Sequence, residues 1–139
     1  MKLDTETQKA FQALSGFIGH SQMTVLRQMC TNWEERYFFR LKMIAVAQMV
    51  EKMPKTYEQD GKGEDAVITL HYFTAGCDWY ITERDIGSPE DALSQCFGLA
   101  DLGYGPELGY ISIPELLSVG AELDLYFKPR AIRELKCHA

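Results

Sequence analysis

Apolar side chains return every three or four positions through the first 53 residues, whereas beyond residue 65 they tend to alternate with polar ones. Asp4 and Thr5 open a first helix, with Thr5-x-x-Gln8 spaced as a capping box. Ala10, Phe11, Leu14 and Phe17-Ile18 fall on one face of it, and Gly16 and Gly19 interrupt it. Ser21 is expected to cap a short second helix through Met29, with Val25, Leu26 and Met29 inward. Asn32-x-x-Glu35 predicts the cap of a third, running from Trp33 to Met53 and stopped by Pro54. Glu34 and Glu35 in its first turn and Lys52 in its last suit the helix dipole. Trp33, Tyr37, Leu41, Ile44, Val46 and Val50 give it so wide an apolar surface that cover on more than one side is expected.

Residues 54–65, "PKTYEQDGKGED", read as a polar connector containing glycines. "AVITLHYF" (66–73) and "CDWYITER" (77–84) then flank Thr74-Ala75-Gly76, which predicts a hairpin with a three-residue loop. In that register His71 lies opposite Trp79 and Val67 opposite Glu83, and His71, Cys77, Trp79, Ile81 and Glu83 share a face. Neither face is cleanly polar, so strands covered on both sides are expected. "SQCFGLAD" and "ELGYISI" form a second strand pair across the turn-rich "LGYGP", and Pro114 starts a short helix ended by Gly120. "AELDLYF" reads as the plainest strand, with Leu123, Leu125 and Phe127 on one side and Glu122, Asp124 and Tyr126 on the other. "RAIRELK" supplies a last helical turn.

The predicted class is α+β: N-terminal helices packed on an antiparallel sheet of about five strands. A chain of 139 residues suits one domain, with a helical subregion 1–53, the connector 54–65 and a sheet subregion 66–139. With 46% hydrophobic and 24% charged residues, wholesale disorder is excluded. No apolar run is long enough for a bilayer and the N-terminus lacks a secretory pattern, so a soluble cytoplasmic protein is expected. Cysteines at 30, 77, 96 and 137 form no C-x-x-C pair, which points to reduced thiols and away from a zinc site. Cys137-His138 is a conceivable metal pair, discounted because fraying is expected so near the C-terminus.

Charge changes the picture. Residues 1–64 hold 8 acids and 9 bases, whereas residues 65–139 hold 12 acids and 5 bases, which gives the second half a net charge of −7. Such a half repels a nucleic-acid backbone and attracts basic surfaces. No direct nucleic-acid binding and no membrane contact are expected.

Motifs for chemistry are sparse. "GYGPELG" is not a phosphate loop, since no Lys-Ser/Thr follows and a strand replaces the required helix. No nucleophile elbow, H-E-x-x-H or EF-hand spacing organises the Ser, His and acidic residues, so no metal or cofactor is expected. Trp33, Tyr37, Phe38 and Phe39 beside Arg36 and Arg40 could stack nucleobases, but at helical spacing they read first as core. Glu83 and His71 could line a pocket as an acid–base pair; a structural acid and a hydrogen-bonded histidine are the plainer readings.

The segments "LHYFTAGCDWYITERD", "QCFGLADLG", "ELGYISIPEL" and "ELDLYFKP" together resemble domain of unknown function 2958, a family of plasmids and integrative elements. That resemblance brings no catalytic residues. It implies a mobile-element setting, in which small acidic proteins disarm host defence as anti-CRISPR proteins do. The function expected is a non-enzymatic inhibitor of a host defence nucleoprotein, such as a type I surveillance complex, occupying its basic channel and excluding DNA. Asp78, Asp85, Glu115, Glu122 and Asp124 are the candidate partner-binding residues. The alternatives are a small pocket enzyme using Glu83 and His71, and an accessory subunit of a conjugative apparatus.

Overall fold

The structure, a computed structural model, describes residues 2–85 and 93–136. Three helices come first: α1 (Thr5–Ala13), α2 (His20–Thr31) and α3 (Arg36–Lys52). Asp4 caps α1, its carboxylate accepting from both the Thr7 amide and the Thr7 hydroxyl. Arg40 ties the three together, donating to the Cys30 carbonyl at 2.8 Å and pairing with Asp4. Ala10, Phe11, Leu14, Phe17, Ile18, Leu26, Met43, Val46 and Val50 are buried, as the helical spacing requires.

The chain then enters a sheet. In order come β1 (Val67–Ile68), β2 (Leu70–Thr74), β3 (Cys77–Glu83), β4 (Cys96–Asp101), β5 (Pro106–Ile111), α4 (Ile113–Ser118), β6 (Glu122–Leu123), β7 (Arg130–Ala131) and α5 (Ile132–Lys136). Five strands pair antiparallel in the order β5-β4-β3-β2-β6, and β1 pairs with β7 separately. The inner face carries Leu70, Tyr72, Trp79, Ile81, Cys96 and Leu123 into one core with the helices and α4. The outer face has a smaller core of Ala66, Ile68, Leu99 and Ile132, flanked by Tyr80, Phe127 and Leu135. Both faces of the central strands are therefore covered, and the class is α+β as expected. Gln22 closes the β6 edge by exchanging two side-chain hydrogen bonds with the Leu123 backbone, at 2.8 and 2.9 Å.

Several local expectations fail for identifiable reasons. Asn32 ends α2 instead of capping α3, which starts at Arg36 after a turn. Gly19, not Ser21, sits at the N-cap of α2. Trp33, Tyr37 and Leu41 are 46%, 60% and 69% exposed, and Val25 on α2 is exposed too; α3 turns Met43, Val46, Ala47 and Val50 to the core and leaves Tyr37 and Leu41 outside. "AELDLYF" keeps strand form only at Glu122 and Leu123; the Asp124 amide still donates to the His71 carbonyl, and its carboxylate accepts the Tyr126 amide and bends the chain. Phe127 thereby joins the outer core while Leu123 stays in the inner one.

The largest correction concerns the hairpin. Its loop has two residues, Ala75 and Gly76, with Gly76 at φ 79, so Thr74 pairs with Cys77, Tyr72 with Trp79 and His71 with Tyr80. A one-residue slip sends every side chain to the opposite face. Trp79 thus lies opposite Tyr72 in the helical core, and His71 stacks on Tyr80 on the outer face, with ring centroids 4.8 Å apart. Among the described residues, no helix is long and apolar enough to cross a membrane.

Candidate functional site

Glu83 should follow Trp79 and Ile81 onto the inner face. A bulge between Ile81 and Glu83 resets the alternation, so that Glu83 lies opposite Phe97 on the outer face. Gly98 permits the bulge: a Cβ there would stand 2.0 Å from the Tyr80 carbonyl oxygen. The Thr82 hydroxyl stands 3.0 Å from both the Phe97 carbonyl and the Glu83 carboxylate and shares its one hydrogen between them, holding the kink in place.

The connector is drawn over this acid. Thr56 donates its amide to the Arg84 carbonyl at 2.9 Å, and Arg84 donates to the Pro54 carbonyl at 3.0 Å, so residues 54–56 run beside the end of β3. Tyr57 then gives its amide hydrogen to Glu83 Oε1 at 2.7 Å. Tyr57 has φ 74 and is the one non-glycine residue of the described chain in the left-handed region. For an L-residue that backbone costs about 1–2 kcal/mol, and hydrogen bonding to a carboxylate is strong enough to offset it. Gln59 locks the rest, donating to the Val67 and Thr82 carbonyls and accepting the Val67 amide. The Tyr57 hydroxyl meets the Tyr110 hydroxyl of β5 at 2.8 Å, and the Tyr110 ring stands edge-on to Phe97.

Between connector and sheet lies a cleft of about 230 Å³ lined by Tyr57, Asp60, Gly61, Thr82, Glu83 and Phe97, among others. A second cleft of about 290 Å³ adjoins it, sharing Gly63, Leu108 and Ile132 and continuing to Leu99, Pro106 and Leu135. Glu83 is only 6% exposed, and among the described residues no cation pairs with it. Tyr57, Gln59 and Tyr110 were missed as site residues in the sequence; an aromatic inside an otherwise polar connector was the only signal of Tyr57.

His71 occupies the other end of the same face. Its Nε2 meets Asp78 at 2.7 Å and its Nδ1 meets Asp124 at 3.1 Å, while Tyr80 and Phe127 contact the ring. A neutral imidazole has one N–H, so both contacts are hydrogen bonds only when the ring carries two hydrogens or a carboxyl carries one. Glu83 and His71 share the outer face, but their hydrogen-bond partners are entirely different. They do not form an acid–base pair.

The predicted acids divide. Phe73 lies opposite both Asp78 and Glu122, and Asp78 lies opposite Asp101. Residues directly opposite in register point the same way, so Glu122, Asp78 and Asp101 form a line across the outer face, with Asp124 beside it. Asp101, which the sequence reading overlooked, accepts the amides of Gly103 and Gly105. Glu115 sits in the first turn of α4, on the helical side of the sheet, and Asp85 lies beyond the far end of β3, so neither belongs to the line. The thiols of Cys30, Cys77 and Cys96 are free; Cys137-His138 lies outside the described residues. Burial pushes the Cys96 thiol up to about 11.

The profile of a family described as "Protein of unknown function (DUF2958)" matches residues 41–132. The chain belongs to that family. The match begins within α3 and ends at Ile132, so in this DUF2958 member the matched segment spans the whole five-stranded sheet, the connector and most of the longest helix. The match extends further toward the N-terminus than the motifs after residue 66 indicate. Every residue of both clefts except Leu135, and the whole acidic line, fall within the matched segment. No curated protein and no solved structure matches the chain.

Proposed function

We propose that the protein works by binding, through the outer face of its sheet, to a basic surface of a protein partner. The observation that carries this reading is the line Glu122–Asp78–Asp101 with Asp124 beside it, held on a rigid sheet and salt-bridged by no Lys or Arg among the described residues. Cross-strand acids directly opposite one another destabilise a sheet by a fraction of a kcal/mol, roughly 0.2–1. His71 and the backbone amides of Gly103 and Gly105 offset part of that cost and fix the carboxylates in place. Fixed negative charge of this kind steers association with cationic surfaces and disfavours nucleic acid.

The partner class is a host defence nucleoprotein, whose nucleic-acid channel the acidic face would occupy in place of DNA, in the manner of an anti-CRISPR protein of a mobile element. Catalysis by Glu83 and His71 is the weaker reading: each is committed to separate structural partners. The experiment is a DNA-loading assay on a purified type I surveillance complex, with wild-type protein and an Asp101→Lys/Glu122→Lys variant. Wild type is expected to block loading in a salt-sensitive way, and the variant to fail. Unchanged loading with wild type at low salt sinks the partner class; equal blocking by the folded variant sinks the acidic face.

A further inference from the structure

Glu83 is a buried carboxylate whose hydrogen-bond partners among the described residues are neutral donors, and that is unusual. Buried charges are ordinarily paired with a charge of opposite sign. Its oxygens meet the Tyr57 amide and the Thr82 hydroxyl, and it lines a cleft open at the surface. Among the described residues, no Lys, Arg or His lines this cleft or its neighbour, whereas Glu83 and Asp60 line the first and Glu64 the second. The walls are otherwise aromatic and aliphatic: Tyr57, Phe97, Leu108 and Ile132.

Size narrows the occupant. At about 230 Å³ the cleft falls below the roughly 300–1,000 Å³ of pockets that take whole small molecules. One long side chain fits better than a free ligand. An acidic floor with aromatic walls suits a cation on an aliphatic stem, and a guanidinium stacks on such rings more readily than an ammonium does. The adjoining cleft is apolar apart from Glu64, and it shares a wall with the first.

We infer that the Glu83 cleft is an anchor pocket for one arginine side chain of a basic protein partner, with an apolar neighbour of that arginine in the adjoining cleft. The inference rests on the binding reading above and deepens it, because it gives the acidic face a buried point of attachment. Interfaces draw most of their energy from a few such desolvated anchors, among which arginine is prominent. The left-handed Tyr57 is part of the device: its backbone bond to Glu83 fixes one carboxylate oxygen, and its ring leans over the cleft to meet Tyr110.

The test titrates the full chain with N-acetyl-arginine amide, followed by amide NMR shifts, with the neutral isostere N-acetyl-citrulline amide as control. Shifts are expected at Tyr57, Gly61, Gly63 and Glu83 with the arginine probe and not with citrulline. They are expected to weaken about tenfold or more in Glu83→Gln, the loss of one charge-assisted contact. Asp60→Asn, at an exposed rim position, gives a second reading with smaller weakening should Glu83→Gln fold poorly. Equal responses to both probes, or shifts confined to Asp78, Asp101 and Glu122, overturn the pocket. Asp101→Lys/Glu122→Lys separates the two ideas: it is expected to keep the arginine-probe response while losing partner binding. An absent probe response alongside charge-dependent blocking of DNA loading removes the pocket and leaves the docking face standing.

Discussion

Replacing Glu83 by alanine removes the acceptor on which the connector hangs. The Tyr57 amide, 2.7 Å from Oε1, then loses its partner, and Thr82 retains only the Phe97 carbonyl. A hydrogen bond to a charged group contributes about 1.5–3 kcal/mol, and deletion of a side chain 6% exposed adds a cavity cost. Together these place the expected loss at roughly 2–4 kcal/mol. With the acceptor gone, the left-handed backbone of Tyr57 is no longer offset, so residue 57 relaxes and its hydroxyl parts from Tyr110. Glu83→Gln behaves differently. Its amide oxygen still accepts the Tyr57 N–H, and its NH2 donates to the Thr82 oxygen while Thr82 donates to Phe97. The expected cost is under about 1 kcal/mol. Urea denaturation reads the stabilities, and hydrogen exchange at the Tyr57 amide reads the local release. A loss below about 0.5 kcal/mol in Glu83→Ala with the Tyr57 amide still protected would refute this account. So would a glutamine variant as unstable as the alanine one.

Gly98→Ala places a methyl 2.0 Å from the Tyr80 oxygen, backbone that cannot yield, so a loss on the order of 3 kcal/mol or insoluble expression is expected. Solubility and the denaturation midpoint check it. His71→Ala leaves Asp78 and Asp124 without the imidazole that stands between them; a thermal melt is expected to show a loss of about 1–3 kcal/mol, partly restored by added salt that screens the two acids. For Cys96, burial raises the folded thiol from its usual 9 to about 11, so the folded state holds a proton that the unfolded chain releases. That contribution is complete below pH 9 and is lost as pH rises toward 11. Denaturation midpoints that fall over that window in wild type, and fall less in Cys96→Ala, are the expected result. A Cys96 thiol that reacts freely with a disulfide reagent at pH 8 in the folded protein would contradict the burial.

How much of this was readable beforehand depended on which level carried the information. Helix and strand periods announced the α+β class, because burial of Phe11, Leu14, Val46, Ile81 and Leu123 imposes them directly. The hairpin register was not readable to within a residue: Thr74-Ala75-Gly76 serves a two-residue or a three-residue loop equally well, and the choice decides which face His71 takes. The bulge at Glu83 was invisible, since it depends on Gly98 in the next strand and on Thr82 bonding across to Phe97. Large apolar residues misled around α3: Trp33 in the turn before it, and Tyr37 and Leu41 along it, continue the helical spacing beyond the stripe that the core covers. The acidic line was half legible. Asp78, Glu122 and Asp124 could be picked out as outward acids, but Asp101 joins them only once strand order is known.

A pleated strand has a parity, and at Ile81–Glu83 that parity is reset once. Deleting Tyr80 while the bulge stays in place would turn Ile81 outward and drive the acid into the helical core. Substitutions along β3 can each be absorbed locally, whereas a change of length there cannot. The strand is therefore a place where descendants of this sequence can drift in spelling but not in count.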